Sequence, residues 1–173
     1  MLTAVGSFYK STGVAPVSQV VTGIGFTPKA LILWMGGGKV SGTFANGFFS
    51  SIGMSTSASD TWSTASAGEH DVGTSNSSRR IAQKALTVIG PSESLKAECD
   101  LTSFNSDGFT LNWTTNDSNA NIIHYLALGG EQLTNAKVVR WTTPTATGNK
   151  AVTGVGFVPD FVLHSVLGFS GTP

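Results

Sequence analysis

The sequence predicts an all-β fold: an antiparallel β-sandwich of jelly-roll type carrying a long Gly/Ser/Thr-rich insertion. Three observations predict it. Apolar and polar residues alternate with period two in several windows, and the apolar runs stop at Gly, Pro or Asp-Gly. No window holds a 3.6-residue period between helix caps.

Taken along the chain, Ala30–Met35 is apolar at every position and ends at Gly36-Gly37-Gly38. It reads as a central strand covered on both faces. Lys84–Ile89, stopped by Gly90-Pro91, is a further strand; its β-branched end argues against a short helix over Arg79–Ile89. In Leu95–Thr102 every odd position is apolar and every even one polar, which places Cys99 inward. After the turn Ser106-Asp107-Gly108 the alternation resumes, with Phe109, Leu111 and Trp113 on one face and Thr110, Asn112 and Thr114 on the other. The pair is expected to form a hairpin. Ile122–Leu128, ended by Gly129-Gly130, reads as a second doubly covered strand, and Val138–Trp141 as a weaker one. His124, on this apolar strand, is expected in the core of the sheet near Trp113.

Residues 36–78 break this pattern. They are rich in Gly, Ser and Thr, with scattered Phe44, Phe48, Phe49, Ile52, Met54 and Trp62. A hairpin is expected across Thr43–Met54 in the stretch. A segment of this length without clear periodicity is usually functional or held against a partner. Phe44, Phe48, Phe49 and Trp62 are therefore the candidate contact surface.

A nine-residue string occurs twice. Val21-Thr22-Gly23-Ile24-Gly25-Phe26-Thr27-Pro28-Lys29 returns as Val152-Thr153-Gly154-Val155-Gly156-Phe157-Val158-Pro159-Asp160, and positions 21 and 152 set an offset of 131 residues. The domain organisation expected is a β-sandwich unit over 1–135 with 36–78 inserted, followed by the start of a second repeat copy over 136–173. That second copy completes the first sandwich, is exchanged with a neighbour, or opens a further unit of a longer chain. Glycine permits the bend, phenylalanine plugs the core beside it, and proline sets the chain before the strand.

Composition narrows the function. Charged residues make up 12% of the 173 residues, about half the roughly 25% of an average domain, and Gly, at 21, exceeds the usual share of about 7%. The surface is therefore built mainly from Ser, Thr, Asn and Gly, which suits a secreted or particle-bound protein or one covered by neighbours. A formal net charge of zero gives no footprint for nucleic acid or an anionic membrane. No apolar run reaches the ~18 residues of a membrane span. The N-terminal residues lack the basic start and apolar stretch of a signal peptide, so release is expected within a particle or on lysis. With Cys99 alone, no intrachain disulfide forms.

The series Gly25-Phe26-Thr27-Pro28-Lys29 before an apolar strand, then Asp107-Gly108-Phe109-Thr110-Leu111-Asn112-Trp113, then Ile123-His124-Tyr125-Leu126-Ala127-Leu128 resembles uncharacterised phage virion proteins. The same order is similar to the H-type lectin domain, a small antiparallel β-sandwich that usually trimerises and occurs in some phage tail fibres. The resemblance covers mainly residues 20–35 and 95–130, and residues 36–78 depart from it. It implies a virion structural role, as capsid decoration or as a tail or fibre component. The partners would be other copies of the chain and other virion proteins. Its second implication is a carbohydrate-binding module for host-surface glycans. No binding residue is carried over.

No catalytic constellation is legible. Glu69-His70-Asp71 places neighbours on opposite faces of an extended chain. Cys99 reads as a small buried hydrophobe. His164 stands where the first repeat copy has Leu33 and is expected to pack. Gly36-Gly37-Gly38-Lys39 lacks the P-loop spacing, and no nucleophile elbow, metalloprotease motif or Cys pair occurs. A non-enzymatic protein without metal or cofactor is expected. For glycan contact the candidates are Trp62, Asn116, Asp117 and Trp141, with Asn112 nearby. Indole faces stack on sugars, and the amide and carboxylate groups supply hydrogen bonds.

Overall fold

The structure is a computed structural model that describes all residues except Lys39, Ser41, Ala45, Ser75 and 167–173. Ten strands run β1 Leu2–Tyr9, β2 Val17–Thr22, β3 Pro28–Met35, β4 Phe48–Ser55, β5 Thr61–Gly68, β6 Ser77–Ala82, β7 Leu86–Gly90, β8 Ser94–Asn105, β9 Gly108–Thr115 and β10 Ile122–Gly129. They form two antiparallel sheets, one of order β1-β10-β3-β4-β5-β6 and one of order β2-β9-β8-β7. The sheets pack face to face as an antiparallel sandwich.

The core is the alternation made physical. Leu31, Leu33 and Met35 from β3 and Ile123, Tyr125 and Ala127 from β10 point inward. They meet Ala97, Cys99, Leu101, Phe109, Leu111 and Trp113 from β8 and β9. Phe109 sits edge-on to both Phe8 and Tyr125, at centroid distances of 6.0 and 5.8 Å. The β8–β9 hairpin turns at Ser106-Asp107, as the Asp-Gly signal requires.

Residues 36–78 supply integral strands, not a detached loop. β4 and β5 form a hairpin inside the six-stranded sheet, pairing from Phe48↔Gly68 to Ser55↔Thr61, further along the chain than the Thr43–Met54 window. Their inner face is made of small residues: Ser51, Gly53 and Ser55 on β4, and Thr61, Ser63, Ala65 and Ala67 on β5. Ser51 Oγ donates to the Thr87 carbonyl at 2.6 Å. The hydroxyl pairs Ser63–Thr87 and Ser55–Thr61 each lie at 2.8 Å. A Cβ added at Gly53 would stand 1.8 Å from the Ala85 carbonyl oxygen, so the sheets approach closely here because the residues are small. Buried hydroxyls satisfied by one another replace an apolar core. That is why period-two hydrophobicity is missing from the sequence.

Three further expectations are corrected. Val138–Trp141 forms no strand, and residues 131–166 contribute to neither sheet. The second sheet covers β3 and β10 on one face only; on the other, Ile32, Leu126 and Leu128 are half-buried and Trp34 is exposed. His124 is not in the core and not in the sheet of Trp113. It is exposed on the outer face of β10, in the large sheet. On β3 and β10 an outward residue of an apolar run cannot be told from an inward one by hydropathy alone.

Candidate functional site

The two outer faces of the sandwich differ in chemistry. On the small sheet, β2 and β9 present Ser18, Thr22, Thr110, Asn112 and Thr114 outward, with Val20 the apolar exception. On the large sheet, strand register lines up an apolar row, Val5↔Leu126↔Ile32↔Met54↔Trp62, across five strands. The adjacent row runs Ser7↔His124↔Trp34↔Ile52↔Thr64↔Ile81 across all six. Cross-strand neighbours on one face lie in contact, so these rows form one surface that is apolar except at Ser7, His124 and Thr64.

Part of that surface is covered by the chain itself. After β10 the backbone turns at Gly130 and runs as an extended strap. Lys29 donates to the Leu133 carbonyl at 2.9 Å, Lys137 pairs with Asp60 at 2.6 Å, and the Arg140 guanidinium lies 5.3 Å from the Trp62 ring centroid. The returning limb is pinned where Ser165 meets Thr64 at 2.8 Å, and His164 is edge-on to Trp141 at 5.6 Å. His164 is thus an exposed ring on the strap, not a core residue. Several of the strap's apolar side chains stand in solvent: Val158 is 92% exposed and Phe161 77%.

Beyond the strap, towards the sheet edge, lies a cleft of about 390 Å³ lined by Ser7, Phe8, Tyr9, Ile122, His124, Gly36, Gly38 and Val40. The His124 imidazole stacks on Trp34 at 5.7 Å, with 23° between the planes, and forms one wall. Tyr9 is 57% exposed beside it. The named wall residues bring hydroxyls, an imidazole and aromatic faces and no formal charge.

The candidate residues fall in several places. Phe44 and Phe48 are exposed, near and at the start of β4. Phe49 turns inward from the same strand and packs on the core over Gly37. Trp62, near the opposite end of the hairpin, is half-buried beneath Arg140. Trp141 belongs to the strap. Asn116 and Asp117 are far from both indoles in role, because they encase Lys10. The Lys10 ammonium is buried and bonds to Asn116 Oδ1, to the Asp117 and Ser11 carbonyls and, at 3.0 Å, to Asp117 Oδ1. It also lies 5.5 Å from the Trp113 ring centroid. Partial burial pushes the Asp117 carboxyl upward, but hydrogen bonds from Lys10 and Asn119 outweigh it and hold the group below its ordinary 3.8. Asn112 stands on the polar face of the small sheet. Lys39, of the glycine run, lies outside the described residues.

His70 is exposed in the β5–β6 connection. Among the described residues no three of His, Cys, Asp and Glu gather as metal ligands. Cys99 is fully buried, and burial drives its thiol pKa far upward, so no thiolate nucleophile is available there. Trp34 and His124 are the surface pair that sequence reasoning missed. The available signal was their place at outward, even-numbered positions of strands whose odd-numbered partners form the core.

Comparison with protein-family models, with curated proteins and with solved structures finds no match to this chain.

Proposed function

We propose that this protein is a non-enzymatic assembly module that works through subunit contacts made by the outer face of its large sheet. The resemblance noted above gives the setting: a structural component of a tailed-phage virion, as capsid decoration or as part of a tail or fibre. The observation that carries the reading is the contrast between the faces. One is hydroxyl-rich. The other is a cross-strand apolar surface that a monomer leaves partly in water, and contiguous exposed apolar surface of this kind marks an interaction site. The edge supports the same reading. β1, LTAVGSFY, is an eight-residue edge strand with no charge, no proline and no bulge, so its own sequence carries none of the usual guards against pairing with another chain. Light scattering tests it. A stable oligomer that Val5→Lys or Trp34→Lys dissociates supports the proposal, and a monomer at the highest soluble concentration would remove it.

A second reading rests on the cleft. A hollow whose described wall residues carry no formal charge, with an exposed tyrosine, a Trp34–His124 stack and hydroxyl donors, suits a neutral saccharide, which needs an aromatic platform and a few convergent polar groups. It is distinguished by titrating saccharides against indole fluorescence. No change at millimolar sugar excludes it.

A further inference from the structure

β1 and β9 belong to different sheets, yet the residues that follow them meet. Lys10 follows β1, and Asn116 and Asp117 follow β9. The Lys10 side chain is wholly enclosed, at 0% exposure, with the Trp113 ring beside its ammonium. Several acceptors converge on Nζ there. They are the Asn116 side-chain carbonyl, the Asp117 carboxylate at 3.0 Å, and the backbone carbonyls of Ser11 and Asp117 at 3.0 and 2.8 Å. The Asn116 amide is fixed from its other end, since Nδ2 donates to the Ser11 carbonyl at 2.9 Å and to the Gly13 carbonyl at 2.8 Å. The amide oxygen is thereby turned to the lysine.

An ion pair alone does not need this arrangement. Lys84 and Lys137 also pair with carboxylates, those of Asp100 and Asp60, but their side chains are 22% and 36% exposed. Among the described residues neither lysine touches a side-chain amide. At Lys10 a primary amine, a carboxamide and a carboxylate share one enclosed place. Aminolysis of an amide needs this set: a nucleophile, an electrophile, and a base to take the nucleophile's proton. Held in contact by the fold, the groups react as parts of one molecule.

We propose that Lys10 and Asn116 are the site of an intramolecular isopeptide bond, Nζ to Cγ, formed with loss of ammonia and assisted by Asp117. The ion pair described above is the open state from which the bond closes. The Lys10 ammonium passes one proton to the Asp117 carboxylate. The lone pair freed on Nζ attacks Cγ of Asn116, whose carbonyl electrons move onto Oδ1. The carbonyl re-forms as the Cγ–Nδ2 bond breaks. Nδ2 departs as ammonia, with its two hydrogens and a second proton from Nζ, and then takes up the proton held by Asp117. The products are a secondary amide, an ammonium ion and the original carboxylate, so atoms and charge balance without a further reactant. The new bond ties the large sheet to the small one across 106 residues of chain. Cys99, the one cysteine and buried, cannot make such a cross-link.

Intact mass tests this on the full-length chain, purified, incubated for days at physiological temperature and then denatured. The expected mass lies below that of the sequence by one ammonia, about 17 Da. Tandem spectra of a tryptic digest should show a branched peptide that joins Lys10 to Asn116. An unaltered mass overturns the proposal. So does a succinimide at Asn116-Asp117, which has the same mass but leaves the two peptides separate, and so does loss of water through a Lys10–Asp117 bond. Lys10→Arg and Asn116→Ala should each keep the mass of their sequence, and a branched peptide in either overturns the assignment. Asp117→Asn keeps nucleophile and electrophile, and with its circular dichroism matching wild type it should close about 100-fold more slowly or worse. Closure at the wild-type rate would overturn the part given to Asp117.

Discussion

The Asp107 carboxylate holds the β2–β3 corner by accepting the Gly23 N–H at 2.9 Å, across 84 residues of chain. With the Gly25 N–H on its other oxygen, the bonds favour the ionised form and hold the carboxyl below its ordinary 3.8. A carboxyl depressed in the fold adds stability above its unfolded pKa and loses it as pH falls through the folded value. Asp107→Ala is therefore expected to melt lower than wild type at pH 7, with the gap closing as pH drops below about 4. Calorimetry across that range checks both the sign and the window.

Gly53 is expected to tolerate no side chain. The 1.8 Å that would separate its Cβ from the Ala85 oxygen leaves no room without moving β4 off β7. Gly53→Ala should cost about 1–3 kcal/mol or more by overpacking, read from urea unfolding. Gly73, exposed and with no atom near an added Cβ, is the control: Gly73→Ala should leave the urea midpoint unchanged.

Lys10 and Asp117 form a partly buried ion pair, so removing one partner is worse than losing a surface bridge. Asp117→Ala leaves the ammonium in place with only neutral acceptors, and is expected to cost about 2–3 kcal/mol, somewhat below a fully buried pair. Surface pairs such as Lys137–Asp60 should cost under about 1 kcal/mol. A denaturant series on the two alanine variants, Asp117→Ala and Asp60→Ala, separates the cases. Equal costs would contradict the burial of Lys10.

Cys99 should be inert to alkylating reagents in the native protein and react only through global opening. It is fully buried, and burial suppresses its thiolate. Its labelling rate should then follow the unfolding equilibrium as urea is raised. Rapid labelling in native buffer would mean that β8 opens locally.

Removing Arg140 should loosen the strap without melting the sandwich. The guanidinium–Trp62 contact and the Lys137–Asp60 pair are surface interactions. Arg140→Ala is expected to quicken amide exchange over residues 133–166, to alter Trp62 fluorescence, and to shift the melting temperature little.

How much of this was legible varies strand by strand. Leu95–Thr102 and Phe109–Thr114 declared themselves through alternation, and their turn through Asp-Gly, because one face of each is core and the other solvent. β4 and β5 did not, because their inner face is Ser, Gly, Thr and Ala packed at close range, a chemistry hydropathy reads as loop. The outward residues of β3 and β10 read in the sequence as a second buried face, since burial of an apolar residue depends on what lies above the sheet.

The sequence by itself determined the all-β class, the main hairpin, the inward Cys99 and the repeated corner, all of which are local patterns set by side-chain period and glycine conformation. Only the tertiary structure decided that Trp34 stacks on His124 in the open, that Asn116 and Asp117 are spent on Lys10, and that residues 131–166 join neither sheet. Those facts depend on which strands become neighbours. That pairing is fixed by packing between residues far apart in the chain, which no local window contains.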